Sequence, residues 1–341
     1  MSAAQSALAV LGRSTLLAIL LSTTSCGRKE SAADNMTAEE AAVEDTAAED
    51  LNVAPQDPPT DNITYLATFA LKQTPAPNAP MLRNGRVANT AEWLASFYAV
   101  FQTARGRAAC TSALIGPRVM LTAAHCIPPN GSVQFIYGPM AYRMACVAHG
   151  DWLSGADPSA DYALCQLLDD FIPPPGFQYE TVDVAPMMAM VNKSIILTGF
   201  GCIGDAVKNS PTDGKYRIGL NSVDETSSST SRKRDPRYYS GSGNQKNNLF
   251  TTDVGANVCP GDSGGPAFRR TAGGGESQYG QRKIVGVNSR VFYRDPQRTT
   301  YGSSLISSTG TPSFTAWADK WLGDRGLDAC GLRGAVPACR T

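Results

Sequence analysis

The chain has 341 residues, 42% of them hydrophobic and 18% charged, with 32 Gly and 22 Pro; this is a globular, turn-rich composition and excludes fibrous or wholly disordered chains. The formal charge is +0, yet residues 26–80 hold 3 basic and 10 acidic side chains while residues 81–341 hold 26 and 20. No basic run is long enough or suitably interleaved with aromatics for nucleic acid, and no Cys/His cluster has zinc spacing, so neither nucleic acid nor metal is expected as a partner.

In chain order, Arg13 precedes the apolar run Leu16–Leu21, too short to span a bilayer and suited to an export signal over residues 1–25. Cys26 follows small residues in a pattern that resembles a bacterial lipoprotein signal, with Thr23 where such signals usually carry Leu. Two readings stay open: lipidation at Cys26, which would be the chain's sole membrane attachment, or simple secretion. Removing Cys26 from nine cysteines leaves eight, enough for four disulfides in an oxidising compartment. Residues 26–81 are acidic and Pro-rich and are expected as a disordered tether or propeptide.

From Ala95 the chain reads as short strands separated by turns: Phe97–Phe101, Thr111–Ile115, Val119–Thr122, Tyr162–Leu167, Ser194–Thr198, Tyr216–Leu220 and Ile284–Ser289. This spacing suggests antiparallel barrels, not βαβ units. Within Asp161–Leu167, alternation predicts Tyr162, Leu164 and Gln166 on one face and Ala163, Cys165 and Leu167 on the other. Residues 224–248, with the basic cluster Ser231–Pro236, read as an exposed insertion. Phe314, Trp317, Trp321 and Leu322 fall at helical spacing, and Gly323 is placed to end that helix. Residues 324–341 follow as a tail containing Cys330 and Cys339.

The chemistry gathers in two stretches, Val258-Cys259-Pro260-Gly261-Asp262-Ser263-Gly264-Gly265-Pro266 and Leu121-Thr122-Ala123-Ala124-His125-Cys126. A serine hydroxyl attacks a carbonyl only beside a base and with donors placed for the developing oxyanion. His125 supplies a base; the other histidine, His149, matches no catalytic motif and is read as a surface or loop residue. Together the two stretches resemble the chymotrypsin/trypsin family of serine proteases, over roughly residues 82 to 322.

That resemblance implies an all-β fold of two antiparallel six-stranded β-barrels with a C-terminal helix, within a domain at 82–323 and with 324–341 as a disulfide-closed tail. The first barrel would run from 82 to about 190 and the second from about 191 to 312. The resemblance implies Ser263 as nucleophile, His125 as base, and the amides of Gly261 and Ser263 as the oxyanion hole. Asp161 would orient His125, with Asp157, Asp169 and Asp170 as alternatives, and Ser289 would hydrogen-bond Asp161. It also implies a Cys110–Cys126 disulfide beside the histidine; Cys146–Cys165, Cys202–Cys259 and Cys330–Cys339 are the pairs assigned to the rest. In this family a newly cut α-amino group pairs with the acid before the serine, here Asp262. Position in the chain favours a start at Leu82, while Arg86 as a cleavage point favours Val87. Asn257, six residues before Ser263, lacks the acid that holds basic substrate side chains, and Val291 would narrow the pocket to small or medium apolar residues.

These features point to an exported, monomeric endopeptidase without cofactor, made as a zymogen for an activating protease and acting on polypeptides. The competing class is a latent binding or adhesion protein on the same fold.

Overall fold

The computed structural model describes residues 82, 84–103, 106–127, 132–137, 139–202, 213–229, 245–271, 281–293 and 301–340. The expected signal peptide, Cys26, the tether 26–81 and the basic cluster at 231–236 lie outside the described residues.

The described chain opens with a two-residue strand, β1 (Arg86–Val87). Six strands then close a barrel: β2 (Ser96–Thr103), β3 (Gly106–Gly116), β4 (Val119–Thr122), β5 (Ser132–Tyr137), β6 (Met140–Ala148) and β7 (Ala163–Leu167). Their order is β2-β3-β4-β7-β6-β5, with β2 bonded to β5, and every pairing is antiparallel. Closure leaves no strand edge to pair with another chain. Cross-strand aromatics fill one end: Phe135 stacks on its partner Tyr142 at 4.8 Å, and Phe97 lies 4.7 Å from Phe135. Both faces of the strand expected to alternate, β7, are covered. Tyr162 to Leu167 are all buried except the half-buried Gln166, because β7 runs between β4 and β6 and Tyr162 packs 4.9 Å from Phe314 of the C-terminal helix.

The second barrel comprises β8 (Ser194–Gly199), β9 (Arg217–Thr226), β10 (Asn248–Thr251), β11 (Pro266–Arg270), β12 (Arg282–Tyr293) and β13 (Tyr301–Ser308). It runs β8-β9-β10-β13-β12-β11 and closes where β11 returns to β8. β1 pairs with β9 (Arg86 with Ile218), and Leu82 is fully buried with Ile195, Leu197, Val223 and Val258. Leu82 and Arg86–Val87 therefore belong to the second barrel, which corrects the expected boundary: the chain enters there before crossing to build the first. The stretch 224–248 also begins inside the fold, since Glu225 and Thr226 are buried residues of β9.

Thr111–Cys126 and Asp262–Pro266 form the front of the seam between the barrels. Thr111 N donates to the carbonyl of Ser263 at 2.7 Å. The helix Pro312–Gly323 starts at Thr311, whose Oγ1 accepts from Phe314 N at 3.3 Å. It ends at Gly323, where the sequence placed its end; Gly323 is its last helical residue, and the left-handed glycine that follows is Gly326, with φ 61°.

Four disulfides join Cys110–Cys126, Cys146–Cys165, Cys202–Cys259 and Cys330–Cys339. The last closes a tail that lies across the back of the seam: Cys330 N donates to Ile115 O at 2.7 Å and Arg340 N to Tyr179 O at 2.9 Å. Among the described residues no helix is long and apolar enough to cross a membrane.

Candidate active site

β4 delivers Thr122 and Ala123 to the seam, and the single 3-10 turn Ala124–Cys126 aims the His125 ring at Asp161, at the head of β7. The Cys110–Cys126 bridge fastens this turn to β3. Cys110, His125 and Cys126 bring their ligand-type atoms within 4.8 Å of one another, but both sulfurs are bonded to each other and cannot ligate a metal as thiolates.

Asp161 is fully buried and accepts three hydrogen bonds. His125 Nδ1 donates to Oδ2 at 2.7 Å, Ser289 Oγ donates to the same oxygen at 2.6 Å, and the backbone N–H of His125 donates to Oδ1 at 2.9 Å. A carboxylate that only accepts places the ring hydrogen on Nδ1 and leaves the Nε2 lone pair facing away. Burial pushes the Asp161 pKa up, but the His125 charge and these hydrogen bonds outweigh it and hold it below 3.8. For His125 desolvation works downward. The Asp161 charge and hydrogen bond overcome it and raise the imidazole above 6.5, while the cation of Arg290 opposes them. The His125 side chain keeps 33% of its surface exposed against 1% for Asp161, so the base is open on one side only. Trp152, in the short helix Gly150–Leu153, lies 6.3 Å from the imidazole ring.

Ser263 reaches the same place from the second barrel. Gly264 has φ 77°, and a Cβ there would stand 2.2 Å from Thr122 Oγ1 and 2.4 Å from Thr111 O. Only glycine lets the serine turn press this closely against the strand leading to His125. Gly261 has φ 94°, and its carbonyl accepts from Thr111 Oγ1 at 2.9 Å, while Thr111 Oγ1 itself accepts from Phe200 N at 3.1 Å. The Gly261 and Ser263 amides take no acceptor among the described residues. No hydrogen bond joins Ser263 Oγ to His125 Nε2, a contact that is often long without substrate.

Asp262 is fully buried. Its Oδ1 accepts from Gly201 N at 2.8 Å and its Oδ2 from Cys259 N at 2.9 Å. Burial outweighs these bonds and the charge of Arg217, and pushes its pKa up to about 7. Leu82 lies in the second core, whereas Val87 sits in β1 opposite Arg217. Asn257 is fully buried, its Oδ1 accepting from Ser304 Oγ at 3.2 Å, and Val291 packs over Cys202 and Cys259.

The other acids lie elsewhere. Asp157 is buried but takes four donors, from Ser159 N, Ser159 Oγ, Lys246 N and Asn247 Nδ2. Asp169 is paired with Arg143 at the protein's exterior. Asp170 has no recorded contact with His125. His149 corrects the surface reading. It is 5% exposed, its Nδ1 accepts from Asp151 N at 3.1 Å, and its ring lies 5.1 Å from Trp317. Two residues escaped sequence reasoning: Thr111, which holds the Gly261 turn, and Arg290, beside Ser289. A cation directly after Ser289, between a serine and the apolar run Val291–Tyr293, was the available signal for the second.

Comparison with known proteins agrees with this arrangement. The family model described as Trypsin matches residues 82–309. Among solved structures, mouse neuropsin, described as a serine protease expressed in the limbic system of the brain, is 18% identical with a TM-score of 0.51, covering 70% of this chain and 98% of its own. The structure of GrC is 16% identical with the same TM-score and the same coverage of both chains. No curated protein sequence matches. With two closed antiparallel barrels meeting at Asp161, His125 and Ser263, and with the family model spanning both, the chain belongs to the trypsin family.

Proposed function

We propose that the protein is an exported serine endopeptidase that cleaves polypeptides through an acyl-enzyme at Ser263. The observation that carries this reading is the buried Asp161 carboxylate on His125 Nδ1 at 2.7 Å, which leaves Nε2 as the free acceptor of the ring. Ser263 Oγ would add to the scissile carbonyl as its proton passes to Nε2. The amides of Gly261 and Ser263 would hold the oxyanion; such a donor is worth about a hundred- to thousand-fold in rate. The C–N bond then breaks and the leaving amine takes the proton from Nε2. Water repeats the cycle, with Nε2 as base, to free the acid and Ser263. Asp161 keeps the imidazole oriented and stabilises its cation, and Ser289 fixes Asp161.

The chain is read as a monomeric zymogen whose mature form begins at Leu82 and whose new α-ammonium neutralises Asp262; the seating of Leu82 in the second core supports this start over Val87. Disulfides support export, with lipidation at Cys26 as its anchored variant. With Asn257 uncharged, substrates carrying Arg or Lys at the cleaved position are not favoured, and Val291 narrows the choice to small or medium apolar side chains.

Intact-mass analysis of the exported protein with a fluorophosphonate probe tests the reading. One adduct on a form starting at Leu82, absent from Ser263→Ala, is expected. No adduct on any form overturns it.

A further inference from the structure

β12 carries a bulge where it faces the cleft. Asn288 pairs with Ile306 and Arg290 with Leu305, so Ser289 is the extra residue. In a regular strand, neighbouring side chains point to opposite faces; a bulge re-aims them. Here both reach the first barrel: Ser289 Oγ bonds Asp161, and Arg290 Nη2 donates to the carbonyl of Pro158 at 3.1 Å. The guanidinium is thus anchored three residues before Asp161, at the edge of the cleft.

Its remaining donors are unused. Arg290 Nε is enclosed without a partner, and no carboxylate among the described residues pairs with the group. Asp157, whose charge also acts on Arg290, is saturated by its four donors. Partial burial draws the Arg290 pKa down, and Asp161 and Asp157 restore only part of this. A cation placed beside a general base, where it opposes protonation of His125, is costly unless another charge meets it.

We propose that Arg290 is a specificity-determining residue of this cleft and takes a carboxylate side chain of the polypeptide substrate close to the scissile bond. The inference rests on the protease reading above and narrows its substrate class to peptides with Asp or Glu near the cleaved bond. No bond forms or breaks at Arg290; it binds through charge-assisted N–H···O contacts, which are stronger and more geometrically selective than neutral ones.

The test is a set of matched peptides on the exported protein in its active form, with each position within four residues of the cleaved bond held as Glu or as Gln. At one position the wild type should favour Glu by about ten- to a hundred-fold in kcat/KM. Arg290→Gln should bring that ratio close to one, Arg290→Lys should keep part of it, and Arg290→Glu should favour Lys there. Ratios within one variant cancel any change in overall rate or folded fraction. Wild-type protein that labels with fluorophosphonate yet shows no acidic preference anywhere overturns the proposal alone. So does a preference that survives Arg290→Gln. Wild-type protein that fails to label overturns the protease reading itself.

Discussion

The seam between the barrels holds a buried carboxylate at its front and another at its back, and they are neutralised differently. At the front Asp161 meets one titratable partner, His125, which keeps 33% of its side-chain surface exposed. At the back Glu180 is enclosed by two arginines. Arg282 binds both of its carboxylate oxygens, with Nε at 3.2 Å, and Arg340 Nε lies 3.3 Å away. The Arg282 guanidinium also covers the face of Trp93 at 3.6 Å, and its Nη2 donates to Glu92 O at 2.8 Å. Arginine does not lose its charge in the working pH range, so the back is a permanent fastening. Histidine does, so the front can take and return a proton. The same tool, a carboxylate removed from water, gives rigidity in one place and chemistry in the other.

Several substitutions would break this contrast. Ser263→Ala should lower kcat by about 10⁶-fold and leave the unfolding midpoint nearly unchanged, since no hydrogen bond of the Ser263 hydroxyl is lost. Asp161→Asn should lower kcat by about 10⁴-fold, because an amide cannot hold the same imidazole tautomer. Steady-state kinetics on an ester or peptide, with thermal melts alongside, measures both. Glu180→Ala should show the reverse profile. It leaves two buried cations without their partner, a loss of about 3–5 kcal/mol, and melts should fall by roughly 6–20 °C for a domain of this size. Any surviving folded fraction should still label at Ser263.

Asp262 sharpens the comparison as a third buried carboxylate, one that meets only backbone amides at hydrogen-bond distance. Its folded pKa of about 7 lies above its unfolded value near 3.8. The folded state therefore binds the extra proton between these values, and stability falls as pH rises through that window. The size is on the order of a few kcal/mol. Denaturant melts at pH 5 and pH 8 should show the wild type losing stability and Asp262→Asn losing less; His125 slopes the same way, so the difference between the curves isolates Asp262. In a form cut at Leu82 whose α-ammonium reaches Asp262, the Asp262 part of the slope should vanish and the His125 part should remain.

The smallest effect concerns the acid limb of kcat/KM. His125 must be neutral to act, and its pKa lies above 6.5, so activity should fall as pH drops through a midpoint above that value. Arg290→Gln should move the midpoint upward and Asp161→Asn downward. A pH–rate profile of each variant decides this.

Both barrels were legible in outline because strands such as Val119–Thr122 and Ser194–Gly199 are apolar and bounded by turns. Strands β1, β5, β6, β10, β11 and β13 were not read. Tyr301–Ser308 is half serine, and two of its buried serines are met by residues distant in sequence: Ser303 Oγ bonds Asp253, and Ser304 Oγ bonds Asn257 while accepting from Val258 N. Nothing local in a polar strand announces such partners. Ser263 and His125 stood out because their chemistry constrains several adjacent residues. Asp161 depended on chain order and on the strand after it. Arg290 was missed because its position depends on a bulge, and Arg282 because its partner is 102 residues distant. The His149 error has the same root. Its burial comes from Trp317, which follows more than 160 residues later.

Arg340 has a consequence for biosynthesis. During vectorial translation Glu180 emerges long before either arginine, and Arg340 is the last described residue to appear. At about 5–20 residues per second, several seconds pass in which the first barrel is available but the back of the seam lacks its final charge. The order of emergence thus delays mature inter-barrel geometry until Arg340 has appeared, after every residue of the cleft has already been made.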